Sequence, residues 1–269
     1  MADSKSDNVL NPTKRILEQG GFSLLFSVRQ TPSADIALAA RSAGYDSLYV
    51  DLEHGSLTIP EAGQIFVTAL AAGITPFVRV PAGGTHETQQ VLDLGAMGII
   101  APHIGSPAEA ERAVARCKYP PAGIRSNSSN LPQQMLTNMP LTQLQTHLND
   151  ETMVFAMIES ADGLDNVEGI AAVPGVNVLL VGTGDLCVEL GIPGQFSSDV
   201  VLKAFERIIA AARKHGKYVC AGGGIKGGPV TMLKTLRDMG VRQLSVGNDT
   251  GMLITAMRQR VKEINEAMK

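Results

Sequence analysis

Eight short runs rich in β-branched and apolar residues alternate with longer segments of helical periodicity, which predicts an α/β protein folded as a TIM (β/α)8 barrel. The length agrees, since 269 residues is close to the roughly 250 typical of one such barrel. The placement of polar residues agrees as well. Several runs end in Asp, Glu, His or Arg, and in this fold the C-terminal ends of the strands face the active site, whereas the opposite face serves stability.

The strands are expected at 22–28, 47–52, 75–80, 98–102, 153–158, 176–181, 218–222 and 243–247. Each is short, bounded by Gly or Pro, and apolar enough to be buried on both faces, as strands of a parallel sheet are. The helices are expected at 33–43, 60–72, 85–94, 107–117, 162–172, 198–215, 229–239 and 250–268, several with Ser, Thr, Asp or Pro near the start. Strand starts recur regularly except between 98 and 153. Residues 119–150 fill that interval and are too long for a bare connection, so they read as a loop over the active-site mouth followed by a short helix near 141–148. Residues 1–12 read as a flexible tail and 13–269 as a single barrel domain. There is no Trp, so the core must rest on Val, Ile, Leu, Ala and Met.

Bulk properties exclude several classes. A net charge of −3 with scattered Lys and Arg leaves no basic stripe for nucleic acid. Three cysteines without C-x-x-C spacing make neither a disulfide framework nor a zinc knuckle, and fit a reducing cytoplasm. No apolar run approaches the roughly 18 residues of a membrane span.

The expected strand ends carry the chemistry. Glu159 in MIES and Asp185 in VGTGDL follow successive strands, so a barrel sets them side by side at the mouth. Two hard carboxylates there suit Mg²⁺ or Mn²⁺ and leave coordination positions for water and substrate; otherwise they cap the helices that follow. Arg79 in FVRVP ends an apolar strand, and a buried guanidinium needs an anion, either a substrate carboxylate or enolate, or Asp51 and Glu53. His54 in VDLEHG is flanked by acids at a strand end, which suits general acid/base work, and Asp93 in VLDLGAMG could orient its ring. His103 is less distinctive and reads as a pocket-lining residue. The GGGIKGG run at 222–228 lacks the ending of a P-loop and reads as a tight turn. No expected strand carries a Lys, which disfavours Schiff-base chemistry.

Taken together, VDLEHG, FVRVP, VLDLGAMGIIAP, YPPAGIRS, MIES, VGTGDL with ELGIPGQF, and SVGNDTGML resemble the HpcH/HpaI aldolase/citrate lyase family of class II, metal-dependent pyruvate aldolases. The resemblance covers about 20 to 260. It implies a barrel of the phosphoenolpyruvate/pyruvate type with Glu159 and Asp185 as ligands of Mg²⁺, Mn²⁺ or Co²⁺. Arg79 matches the arginine that stabilises pyruvate enolate, and His54 with Asp93 matches the acid/base dyad. Asp51, Glu53, Met157, Gly182, Thr183 and Gly184 then line the substrate pocket or support the ligands. The implied reaction is cleavage of a 4-hydroxy-2-oxo acid to pyruvate and an aldehyde, or the reverse, through a metal-stabilised pyruvate enolate. A trimer or hexamer is implied too, with the last helix exchanged between subunits.

Two departures from the family pattern bear on substrate choice: Met157 stands where a Gln is common, and GTGDLC stands for G-P-[AS]-D-L-S. The alternatives are an oxaloacetate decarboxylase or an acyl-CoA lyase using the same enolate, and more remotely a non-catalytic metabolite-binding barrel. A CoA ester calls for a basic patch at the mouth, for which the sequence offers only Arg125 and Lys226.

Overall fold

The computed structural model describes residues 11–82, 86–137, 139–227 and 230–269. Eight parallel strands close into a barrel in chain order. They are β1 (Ser23–Val28), β2 (Ser47–Asp51), β3 (Thr75–Arg79), β4 (Gly98–Ala101), β5 (Met153–Ile158), β6 (Val178–Gly182), β7 (Tyr218–Gly222) and β8 (Gln243–Asn248). The helices are α1 (Pro12–Glu18), α2 (Asp35–Ser42), α3 (Ile59–Ala72), α4 (His86–Asp93), α5 (Pro107–Cys117), α6 (Leu141–Glu151), α7 (Ala161–Asp165), α8 (Val167–Ala172), α9 (Thr183–Glu189), α10 (Asp199–Lys214), α11 (Val230–Met239) and α12 (Asp249–Ala267). All eight expected strands are present within two residues of their expected ends. The expected helix 162–172 is two helices, because Asn166 leaves helical geometry at φ −92°, ψ 7°. Residues 1–10 of the expected tail, and the expected helix starts at 85 and 229, lie outside the described residues.

The strand period of two separates two apolar layers. Leu25, Tyr49, Phe77, Ile100, Phe155, Met157, Leu180 and Cys220 fill the barrel, with the Phe77 and Phe155 rings edge to face at 4.8 Å. Their neighbours along the strands, such as Leu48, Val50, Val78, Val154 and Leu179, pack outward on the helices. Helix α1 closes the bottom of the barrel with Leu17, which joins the inner layer. At residues 11 and 12 this corrects the expected tail: Asn11 is fully buried, caps α1 by accepting from Lys14 N–H, and donates its own N–H to Glu151 Oε2 at 2.8 Å.

Residues 119–150 are also not a lid. Lys118 Nζ donates to Asn149 O and Thr152 O at the start of β5, and Gln133 Nε2 donates to Leu92 O and Ala96 O before β4. Leu131 packs with Met97, Tyr119, Leu144 and Leu148. These contacts lie at the N-terminal face, where a connection from helix to next strand must run. The short helix within the segment does form, as α6.

Candidate active site

The C-terminal ends of β2 and β3 build the first half of the site. At the end of β2 the chain turns through VDLEHG, and Asp51 Oδ1 accepts from Glu53 N–H at 3.2 Å and His54 N–H at 3.1 Å. Gly55 is required in this turn, since a Cβ there would lie 2.1 Å from Asp51 O. In register across the ladder, Arg79 faces Asp51. Arg79 Nε and Nη2 donate to Asp51 Oδ1 and Oδ2 at 2.9 and 2.5 Å, and Nη1 lies 3.2 Å from Glu53 Oε2. Burial opposes charge on Asp51, yet the fork of Arg79 outweighs it and holds the carboxyl below its usual range. The guanidinium is raised in turn, because Asp51 overcomes its own burial. Both anionic partners read from the sequence therefore hold Arg79. Two of its five N–H groups are hydrogen-bonded to Asp51, while Nη1 meets Glu53 only as an ion pair, which leaves N–H groups on both terminal nitrogens for a substrate anion.

Strands β4 to β6 supply the second half. Glu159 directly follows β5 and is 3% exposed. Its Oε1 accepts from His103 N–H at 2.7 Å, and His103 Nδ1 lies 3.2 Å from the same oxygen. The other ring nitrogen of His103 lies 3.4 Å from Glu53 Oε1. Asp51, Arg79, Glu53, His103 and Glu159 thus form one continuous polar chain across four strands. Burial raises the Glu159 carboxyl; His103 lowers it, and the nearby charge of Asp185 raises it further. Asp185 sits in the first turn of α9, and its carboxylate makes no hydrogen bond or ion pair among the described residues. Gly182 gives Glu159 its room: a Cβ there would come within 2.8 Å of Glu159 Oε2 and of the Met157 terminal methyl. Thr183 Oγ1 is buried without a partner among the described residues. Gly184 opens α9 beside Gly224 N, 3.8 Å from where its Cβ would stand.

A buried carboxylate pressed by the charge of a second one, itself without a partner among the described residues, is a donor set that fits a divalent cation. Among the described residues no group of three or more His, Cys, Asp or Glu is arranged around a metal position. The two carboxylates would then hold the ion, with water and substrate oxygens completing its shell.

His54 is half exposed beside this chain, its Nε2 3.9 Å from Glu53 Oε2. Asp93 is not brought to it within the chain. It lies at the end of α4 and pairs with Arg125 at 2.8 Å. Arg125 is itself fully buried and stacks on the Tyr119 ring, so it offers no basic patch at the mouth. The side chain of Lys226 lies outside the described residues. The glycine run forms a short turn over Gly223–Gly227, where Gly224 makes way for the Phe196 ring. Cys187 is buried and its thiol is pushed up, as suits a packing residue.

Three contributors escaped the sequence reading or were underrated by it. Arg29, at the end of β1, donates from Nη2 to His54 O at 2.8 Å and so fixes the loop carrying the histidine. Its position directly after an apolar run, as with Arg79, is a signal that could have found it. Asp249 gathers the loop after β1, Oδ2 accepting from the N–H groups of Arg29, Gln30 and Thr31. His103, read as a lining residue, bridges two carboxylates.

Residues 23–256 match the HpcH/HpaI aldolase/citrate lyase family. A 4-hydroxy-4-methyl-2-oxoglutarate aldolase of Hapsidospora irregularis is 42% identical over 194 residues, covering 71% of this chain and 72% of its own. A hydroxypyruvate/pyruvate aldolase of Paraburkholderia phytofirmans is 34% identical over 261 residues, covering 94% and 97%. The crystal structure of an HpcH/HpaI aldolase from Desulfitobacterium hafniense superposes with a TM-score of 0.89 at 26% identity, covering 96% of this chain and 97% of that one. With the barrel and the polar chain at its mouth, these matches make the protein a lyase of the HpcH/HpaI aldolase/citrate lyase family.

Proposed function

We propose that this barrel cleaves the C3–C4 bond of a 4-hydroxy-2-oxo acid, releasing pyruvate and a carbonyl compound, and runs the reverse addition. The observation that carries the proposal is that buried Glu159 feels the charge of Asp185, which has no partner among the described residues, and is joined through His103 and Glu53 to the Arg79 clamp. A divalent cation such as Mg²⁺, Mn²⁺ or Co²⁺, when held by Glu159 and Asp185, supplies Lewis acidity toward the oxygens of the 2-oxo acid. Arg79, immobilised by Asp51, directs its spare N–H groups at the enolate oxygen, where negative charge develops as the bond breaks. His54 takes the proton of the C4 hydroxyl, and the bonding pair moves onto C2–C3 as the carbonyl product departs. Met157, Gly182, Thr183 and Gly184 line the floor beside Glu159.

The substrate of the relative from Hapsidospora irregularis, 4-hydroxy-4-methyl-2-oxoglutarate, heads the candidate panel. Pyruvate release should be lost on treatment with EDTA and restored by one of the three cations. Full turnover in rigorously metal-free protein, or a borohydride-trapped pyruvate adduct on a lysine, refutes the reading.

The assembly we propose is a homo-oligomer, a trimer or hexamer, that covers α12. Along this helix Leu253, Met257 and Val261 are each more than half exposed, an apolar stripe with no core beneath it. The three free, buried cysteines fit a reducing cytoplasm; no helix among the described residues is long and apolar enough to cross a membrane. A species of 28.4 kDa in light scattering refutes the assembly.

A further inference from the structure

We infer that His103 is a positioning residue that fixes the cation-binding carboxylate of Glu159 and couples it to the arginine clamp. The inference rests on the reading of Glu159 and Asp185 as cation ligands. Its starting point is the backbone. His103 has φ +54°, in the left-handed region that residues with a Cβ seldom adopt. The twist comes just past β4, where Ile104 N–H bonds to Met157 O and pins the chain to β5. Strain of this kind persists only where the surroundings over-determine it, and it concentrates at functional sites.

What the twist achieves is visible in the contacts. It turns the His103 N–H onto Glu159 Oε1 at 2.7 Å and sets Nδ1 3.2 Å from that oxygen. Oε1 is thereby engaged twice by one residue, and Oε2, on the Gly182 side, is left as the oxygen open to a cation. The far ring nitrogen faces Glu53 Oε1 at 3.4 Å, while Glu53 Oε2 faces Arg79 Nη1 at 3.2 Å. One imidazole therefore spans the two halves of the site. An ordinary surface histidine accounts for its side chain being 55% exposed, but not for a left-handed backbone or for contacts to buried Glu159 and partly buried Glu53.

The test is cation affinity without substrate, read by electron paramagnetic resonance of free Mn²⁺ in the full chain. His103→Ala should raise the Mn²⁺ dissociation constant by about tenfold to a hundredfold, the usual effect of removing a group that orients a ligand. His103→Asn should do likewise, and Asn tolerates the left-handed backbone, so this variant keeps the test open if the alanine variant fails to fold. The melting temperature of the cation-free variants should stay near wild type, which a merely structural role would not predict. Wild-type Mn²⁺ affinity in the folded variants overturns the role of His103 alone. Wild-type protein that binds no Mn²⁺ removes the cation reading, and this inference with it.

Discussion

Replacing Gly182 by alanine adds one methyl group at the point where the proposed ligand meets the barrel wall. The backbone there, φ −80° and ψ 72°, is open to any L residue, so the effect is steric. The new Cβ would stand 2.7 Å from Glu159 Cβ, 2.8 Å from Glu159 Oε2 and 2.8 Å from the Met157 methyl. Ordinary contact starts at 3.4 Å, so Glu159 must retreat by about 0.7 Å. Met157 can swing its flexible end, but Glu159 is held by His103 and has its own Cβ in the way. Overpacking of this kind costs about 1 to 3 kcal/mol, and misplacing a reacting group by about 1 Å costs up to about 10²-fold in rate. Gly182→Ala should therefore melt about 5 °C lower, bind Mn²⁺ more weakly, and lose about 10 to 100-fold in kcat/KM. Gly184→Ala, two residues on, meets nothing nearer than 3.8 Å and should melt at or above wild type. Calorimetry, Mn²⁺ titration and pyruvate release measure all three quantities. Wild-type affinity and turnover in Gly182→Ala would show that Glu159 needs no such clearance, and would remove it as the ligand.

The other substitutions separate roles. His54→Ala should cut aldol cleavage by roughly 10² to 10⁴ while sparing oxaloacetate decarboxylation, which has no hydroxyl proton to remove; equal losses in both assays assign His54 to binding instead. Arg79→Lys keeps the charge but not the fork that meets both oxygens of Asp51, so it should lower both reactions by about 10 to 100-fold; an undiminished decarboxylation rate counts against the enolate role. Asp249→Asn should cost about 2 kcal/mol at neutral pH by weakening the three-way N–H grip of Oδ2. Burial opposes its charge, but those N–H groups outweigh it and depress the carboxyl below its ordinary 3.8. Its stabilisation is thus complete above that value and lost as pH falls through the lower folded one. Urea melts of variant and wild type should converge under acid conditions, and a gap that persists there refutes the linkage.

The barrel was legible because each parallel strand is a short apolar run between breakers, a signal that needs no knowledge of neighbours. The placement of Asp51, Arg79 and Glu159 at the mouth was legible for a related reason: a charge at the end of such a run points to the mouth. Helix α1 was not legible. Its fixing contacts join Asn11 to Glu151 and Thr13 to Thr75, partners far along the chain, and its seven residues carry little periodicity. Residues 119–150 differ from the expected mouth loop because a segment between α5 and β5 must emerge opposite the C-terminal face of the barrel. Asp93 shows the limit of motif reasoning. Its spacing from β4 suggests a dyad, but within the chain the nearer claim is that of Arg125, a buried guanidinium that no local pattern reveals.

The polar chain occupies only part of the mouth, and this asymmetry bears on how one barrel can hold both a charged relay and a substrate. From β2 to β5 the inward positions at the top are Asp51, Arg79 and Glu159, each ion-paired or hydrogen-bonded to a neighbour. On β6 to β8 the corresponding positions are Gly182, Gly222 and Ser245, and a Cβ on Gly222 would meet Ser245 at 3.4 Å. Ser27, Ser245 and Thr183 keep buried hydroxyls with no hydrogen-bond partner among the described residues. Small residues and spare hydroxyls on that side leave volume and polar contacts beside the carboxylates, while the side from β2 to β5 offers only the Arg79 N–H groups that Asp51 leaves free. On the function proposed above, a 2-oxo acid would set its reacting end against Glu159 and Arg79 and its bulk toward β6 to β8, and changes on the glycine side should alter which acid is accepted before they alter the chemistry.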